Sequence, residues 1–196
     1  MEQVSKKETQ ILLEIARRSL ECEGDFVEFG CYRGETSVLL AKLLRNNVGE
    51  RKKLWVYDSF EGLPERSTED SSVAGEAFKP GELKVTKREV VEKFRKAGVR
   101  PVVKKGFFED LIETDLPRDI AFGFLDGDFY QSIKTSLKLT APRVNSGGIL
   151  VVHDYNNPEL PGAARAVDEW LQQKLAKKRQ AQLEVRESLA ILRFMN

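Results

Sequence analysis

Short apolar runs alternate along the chain with segments whose apolar residues recur at helical spacing. Strands are predicted at 26–29, 54–57, 99–103, 120–125 and 149–152, with two more within 183–194. Helices are predicted at 6–20, from 36 onward, at 86–98, 132–139 and 163–178, and a turn at 145–148. Because the apolar strands alternate with helices, we expect an α/β fold, a Rossmann-like doubly wound sheet with helices on both faces. The sheet should be mostly parallel, with an antiparallel C-terminal strand.

Two segments lie outside this alternation. Residues 1–24 precede the first strand and hold one helix, which begins at the capping box Ser5-Lys6-Lys7-Glu8. Residues 62–80 are rich in Pro, Ser, Gly and acids and show little periodicity. A stretch of this length without structure is often a functional lid. We therefore predict a single domain over 1–196, with an N-terminal helix and a possible lid loop at 62–80.

Composition and charge exclude several classes of protein. The 196 residues hold 32 Lys and Arg against 31 Asp and Glu, which disfavours a nucleic-acid partner bound by bulk charge. Two cysteines fit a reducing compartment, and a single histidine excludes multi-histidine metal sites. The longest aliphatic run, 149–152, is too short to cross a membrane, and the N-terminus is charged where a signal peptide is apolar. We expect a cytoplasmic protein that binds neither nucleic acid nor membrane.

Polar residues collect where the predicted strands end. These ends carry residues 28–34, Asp58, Gly106, Asp126 and the pair His153-Asp154. In doubly wound sheets ligands bind beyond the carboxyl ends of the strands. The ligand site is therefore predicted at this edge.

The loop after the first strand indicates what kind of ligand binds. The run Glu28-Phe29-Gly30-Cys31-Tyr32-Arg33-Gly34 lacks the glycine spacing of a dinucleotide site, and no Walker loop is present. An acid next to the glycine loop would repel a diphosphate but suits a cofactor with a positive end. S-adenosylmethionine has an ammonium, a sulfonium and a ribose diol, and Asp58 could accept two hydrogen bonds from that diol.

Several longer motifs resemble one enzyme family. They are Val27-Glu28-Phe29-Gly30-Cys31-Tyr32-Arg33-Gly34, Tyr57-Asp58-Ser59-Phe60-Glu61-Gly62-Leu63-Pro64, Gly106-Phe107-Phe108-Glu109-Asp110, Leu125-Asp126-Gly127-Asp128-Phe129-Tyr130, His153-Asp154-Tyr155, and the run from Pro161 to Asp168. The sequence resembles class I S-adenosylmethionine-dependent methyltransferases, and more closely the macrocin/mycinamicin type of sugar O-methyltransferase. The resemblance implies an O-methyltransferase acting on a hydroxyl of a sugar or natural product, and a homodimer.

The resemblance also implies a divalent cation, usually Mg²⁺. Its ligands would be Asp126, His153 and Asp154. The histidine departs from the antibiotic-sugar enzymes, which have two acids at the last two positions. Because Mg²⁺ prefers oxygen ligands, a histidine favours Mn²⁺ or iron, and a site without metal stays open.

The candidate site residues fall into two groups. Those expected to bind the cofactor are Glu28, Gly30, Tyr32, Gly34, Thr36, Asp58, Ser59, Phe60, Gly106, Phe107 and Asp126. Asp126 and Asp128 are the candidate catalytic residues, because a hydroxyl must lose a proton when it is methylated. Either acid could accept that proton.

Simpler interpretations stay open beside these. Glu28 could cap a turn, Asp58 could cap a helix, the Asp-Gly-Asp run at 126–128 could be an ordinary turn, and His153 could be a hydrogen-bonded structural residue. Two other functions are also compatible with the motifs. One is a metal-binding relative with different chemistry, such as a hydroxylase-associated subunit. The other is a non-catalytic subunit that binds S-adenosylmethionine.

Overall fold

A computed structural model describes residues 4–73, 78–173, 178 and 181–195. The strands are β1 (Asp25–Phe29), β2 (Leu54–Asp58), β3 (Val102–Lys105), β4 (Ile120–Leu125), β5 (Val144–Val152), β6 (Gln182–Arg186) and β7 (Leu189–Arg193). The α-helices are α1 (Lys6–Arg18), α2 (Glu35–Asn47), α3 (Lys87–Lys96), α4 (Tyr130–Thr140) and α5 (Pro161–Gln172). Both predicted capping boxes are present, at the starts of α1 and α3.

One seven-stranded sheet forms the centre, in the order β3-β2-β1-β4-β5-β7-β6. The pairs among β1 to β5 are parallel, whereas β7 is antiparallel to both of its neighbours. Strand order reverses next to β1, and this is the point at which such sheets place their ligands. The predicted fold class is confirmed.

The two faces of the sheet bury separate apolar layers. Alternate residues of a strand point to opposite faces, so Phe26 packs under α1, α2 and α3, while Val27 and Phe29 pack under α4 and α5. Phe26 and Phe122 are in ring contact within the first layer, with centroids 5.0 Å apart. Helices cover both faces of the sheet and leave the edge at the carboxyl ends of the strands open. Polar groups at that edge can therefore face solvent.

Several predicted boundaries were wrong. Strand β3 begins at Val102 rather than at 99, because the Val99 N–H bonds the Phe94 carbonyl and closes the end of α3. The turn predicted at 145–148 lies inside β5 as an irregularity, where pairing with β4 jumps from Val144 to Ile149. Helix α5 ends at Gln172, and residues 174–177 of the predicted helix lie outside the described residues.

The 62–80 segment is docked onto the start of α4 over its described part, which excludes residues 74–77. Asp70 is fully buried there and accepts hydrogen bonds from the Tyr130 N–H at 2.7 Å and the Ser67 hydroxyl at 2.8 Å. Leu63 packs against Phe129 in a small apolar cluster. The segment is thus held in place by the cap that it provides to α4. Among the described residues, no helix is long and apolar enough to span a membrane.

Candidate active site

A pocket of about 710 Å³ opens at the carboxyl edge of the sheet. Its wall is formed by residues that follow β1, β2, β3 and β4, together with the first turns of α1. The predicted residues on this wall are Gly30, Tyr32, Thr36, Asp58, Ser59, Phe107, Asp126 and Asp128. The structure therefore brings eight candidates from separate parts of the chain to one cavity.

The glycine loop after β1 is shaped by close backbone approach. Gly30 has φ +85°, and a Cβ there would lie 1.9 Å from the Asp126 carbonyl oxygen. Only glycine lets the ends of β1 and β4 come this close. Gly34 has φ +75° at the start of α2, where a Cβ would press on the Phe94 ring at 2.8 Å.

Asp58 organises the same loop from the end of β2. Its Oδ2 accepts hydrogen bonds from the backbone N–H groups of Cys31 at 2.9 Å and Tyr32 at 3.1 Å. Its Oδ1 accepts the N–H of Phe60 at 2.7 Å. A carboxylate has about four acceptor sites, so capacity remains for a ligand in the pocket that Asp58 lines.

Glu28 lies beneath the loop, outside the set of residues that line the pocket. The alternation of β1 points it to the face covered by α2, where its carboxyl accepts hydrogen bonds from the hydroxyls of Thr36 and Ser37. It is fully buried. Burial is the largest influence and raises the pKa of Glu28 to about 8, although the two hydroxyl donors lower it. Its position suits support of α2 more directly than contact with a ligand.

An acid cluster with the single histidine adjoins the glycine loop at the end of β4. His153 Nδ1 lies 2.9 Å from Asp126 Oδ1 and 3.0 Å from Asp154 Oδ2. Asp128 is buried at the pocket wall, and both Asp128 and Asp154 have positive φ, at +57° and +60°. Such left-handed backbone is costly outside glycine and is frequent at functional sites. His153 and Asp154 adjoin Asp126 without lining the pocket themselves.

The charges in this cluster shift one another. Burial raises the pKa of Asp126, against the lowering effect of His153. Burial, with Asp126 and Asp154 nearby, raises the pKa of Asp128 well above its usual range. Burial alone would lower the pKa of His153, but the surrounding carboxylates outweigh it and hold that pKa well above its usual range.

Three donor atoms of Asp126, His153 and Asp154 lie within 4.8 Å of one another. Two carboxylates and an imidazole nitrogen match the ligand chemistry of a divalent cation of intermediate softness. The residues present therefore fit a metal such as Mn²⁺ better than they fit Mg²⁺, which prefers oxygen alone.

Four of the predicted cofactor residues lie off the pocket wall: Glu28, Gly34, Phe60 and Gly106. Phe60 is buried in the core cluster under α1 to α3, and Gly106 donates its N–H to the Asp58 carbonyl at 3.0 Å. Gly34 begins α2. These residues shape the loops around the pocket without lining it.

Helix α1 contributes functional surface that the sequence reasoning missed. Lys6, Thr9 and Gln10 line the pocket. Glu8 points to the other side, with Oε1 3.7 Å from His153 Nε2. The capping box explained Glu8 as a local feature, and nothing in the sequence pattern connects Glu8 with His153.

Comparison with known proteins places the chain in a family. The profile of the family described as Macrocin-O-methyltransferase (TylF) matches residues 6–185. The chain belongs to this family. The resemblance predicted from the motifs is thereby confirmed.

Individual relatives agree with this assignment. A Streptomyces olivaceus enzyme, 8-demethyl-8-(2,3-dimethoxy-alpha-L-rhamnosyl)-tetracenomycin-C 4'-O-methyltransferase, is 32% identical over 67% of this chain and 53% of its own length. Demethyldecarbamoylnovobiocin O-methyltransferase of Streptomyces niveus is 31% identical over 75% of this chain and 58% of its own. The chain thus spans little more than half the length of these curated relatives.

Two solved structures share the fold. The O-methyltransferase NovP superposes with a TM-score of 0.82 at 25% identity, over 97% of this chain and 80% of its own. The calicheamicin methyltransferase CalS11 superposes with a TM-score of 0.77 at 22% identity, over 98% of this chain and 82% of its own. The likeness to CalS11 concerns the fold alone.

Proposed function

We propose that this chain is an S-adenosylmethionine-dependent O-methyltransferase that acts on a hydroxyl of a small molecule, a sugar or another natural product. The observation that carries the proposal is one pocket lined by two chemically different sets of residues. The glycine loop with Asp58 is one set, and the neighbouring Asp126 with Asp128 is the other. Family membership and the names of the relatives support this chemistry.

The cofactor is assigned to the side of the glycine loop. Asp58 is suited to the ribose diol, because its carboxylate is already held by three backbone N–H groups. Ser59 and Phe107 continue the same wall and suit the nucleoside. At about 710 Å³ the pocket is within the usual range for small-molecule sites.

Asp126, His153 and Asp154 would hold the divalent cation. When bound, such a cation would lower the pKa of an acceptor hydroxyl and fix its direction.

Asp128 is proposed as the base. It lines the pocket beside Asp126, and its buried carboxylate is the acid there that is not among the proposed metal ligands. The acceptor oxygen forms a bond to the methyl carbon while the carbon–sulfur bond breaks, and the hydroxyl proton passes to the carboxylate. The walls of the pocket supply alignment, which is a large part of the acceleration in a displacement of this kind.

The test uses labelled S-adenosylmethionine with a panel of hydroxylated sugars and natural products. We expect Asp126→Asn to abolish transfer while calorimetry still detects binding of S-adenosylhomocysteine. Asp128→Asn should lower kcat by about 10²- to 10⁴-fold, the usual contribution of a general base. Asp110→Asn, outside the pocket lining, is the matched control.

Normal transfer by Asp126→Asn would contradict the assignment of the acid side. Binding of the donor without transfer to any acceptor would favour a non-catalytic subunit. The homodimer and the cytoplasmic location stay predictions.

A further inference from the structure

We propose that Glu8 of helix α1 is a positioning residue for the metal site. When a cation is bound, Glu8 favours the form of His153 in which Nε2 carries the proton and Nδ1 offers its lone pair to that cation between Asp126 and Asp154. This inference rests on the metal assignment within the proposed function.

The two ring nitrogens of His153 face different groups. Nδ1 lies 2.9 Å and 3.0 Å from oxygens of Asp126 and Asp154, and these distances make it the ring nitrogen that can join them in binding a cation. Nε2 points the other way, to Glu8 Oε1 at 3.7 Å. The Glu8 distance is an ion-pair contact and longer than a hydrogen bond. A ring nitrogen that binds a cation carries no proton, so the ring proton must then sit on Nε2.

A carboxylate behind a ligating histidine is a recurrent arrangement in metal sites. It fixes which nitrogen is protonated, orients the ring and makes the other nitrogen a better ligand. Among the groups recorded around His153 in the described chain, Glu8 is the carboxylate on the Nε2 side. The histidine and Glu8 side chains are only 6% and 12% exposed, so water screens their interaction little.

Glu8 is held in this position by both of its oxygens. Oε2 accepts the N–H of Ser5 at 2.9 Å, which completes the capping box. Oε1 accepts the hydroxyl of Ser188, from the turn between β6 and β7, and is the oxygen that faces His153. The capping box of α3 provides a contrast, because its Glu89 is exposed and uses a single oxygen, Oε2, for the cap. Capping alone does not require the buried second contact of Glu8.

The first measurement is Mn²⁺ affinity, by electron paramagnetic resonance, in the presence of S-adenosylhomocysteine. Outer carboxylates of this kind usually change metal affinity by about 10- to 100-fold, so we expect a loss in that range for Glu8→Ala. Glu8→Gln keeps an acceptor oxygen but not the charge and should fall in between. Glu14→Gln, on the same helix and paired with Arg18 and Arg186, should bind as wild type does.

The second measurement separates positioning from a purely structural role. Because the chain has one histidine, the ring ¹⁵N signals of tag-free protein belong to His153 alone. With Zn²⁺ as a diamagnetic probe, wild type should show a protonated Nε2 and an unprotonated Nδ1. Glu8→Gln should show a mixture of the two forms, whereas a variant that affects folding alone would leave this ratio unchanged.

Wild-type Mn²⁺ affinity in both Glu8 variants, or coordination through Nε2, would overturn the proposal. So would a wild-type protein that binds no Mn²⁺, even if it transfers methyl groups. Conversely, Glu8-dependent Mn²⁺ binding without methyl transfer would support the role of Glu8 and overturn the proposed function alone.

Discussion

Replacing Glu28 by Gln tests the electrostatics beneath the glycine loop. Glu28 is fully buried, and its pKa is raised from 4.5 to about 8. In the folded protein the carboxyl is therefore protonated at neutral pH, whereas in the unfolded chain it is ionised. A glutamine has the shape of the protonated acid, and its amide can pair with the hydroxyls of Thr36 and Ser37.

The sign of the effect follows from which state binds more protons. The folded pKa is the higher one, so the contribution of Glu28 to stability is complete below pH 4.5 and is lost as pH rises through about 8. Between these values the folded state holds one proton more, and the free energy of unfolding falls by about 1.4 kcal/mol per pH unit. The whole interval between the two pKa values corresponds to about 5 kcal/mol.

The assay is reversible urea unfolding at pH 5.5, 6.5 and 7.5, followed by the fluorescence of the two tryptophans. Other groups titrate equally in both proteins, so the difference between Glu28→Gln and wild type isolates Glu28. That difference should shift in favour of the variant by about 3 kcal/mol across the two pH units. The exposed Glu50→Gln variant should follow the wild-type curve. Parallel curves for Glu28→Gln and wild type would refute the reasoning.

Two further predictions concern residues that hold loops by hydrogen bonds. Asp58→Ala should weaken binding of S-adenosylhomocysteine by at least about tenfold, as measured by calorimetry. The reason is that the loop at Cys31 and Tyr32 loses hydrogen bonds to a charged acceptor, which are worth about 1.5–3 kcal/mol. Unchanged affinity would contradict this prediction. Asp70→Ala should lower the free energy of unfolding by about 1–3 kcal/mol, because it removes the buried cap of α4. Glu69→Ala is the neighbouring control, and an equal loss in both variants would argue against a specific role of Asp70.

The order of elements and the location of the site could be predicted because both follow from local patterns. Apolar runs and helical spacing mark strands and helices, and the carboxyl ends of parallel strands meet at one edge. Asp58, Asp126 and Asp128 reach the same pocket for this reason. The boundary errors at Val99 and at 145–148 arose where a residue closes a helix or where pairing skips residues. Such events depend on tertiary contacts.

The directions of individual side chains could not be predicted equally well. Glu28 was expected to face a cofactor because it precedes the glycine loop, but strand alternation turns it into the layer under α2. Glu8 satisfied a local capping box, so its contact with His153 had no signal in the sequence. The contact brings Glu8 of α1 against His153, which follows β5, and Ser188, which precedes β7, and only the assembled sheet places these two residues side by side.

The place of β7 in the sheet has a consequence for biosynthesis. This strand lies between β5 and β6, and its residues Leu189 to Leu192 are completely buried. The residues that pair with β5 on that side are 190–193, so they are synthesised about 40 residues after β5 itself. Until then the nascent chain presents an apolar, unpaired strand edge, a known template for aggregation. A product cut short anywhere before residue 189 would keep every acid of the pocket, yet it would lack the strand that pairs with β5 and covers this apolar edge.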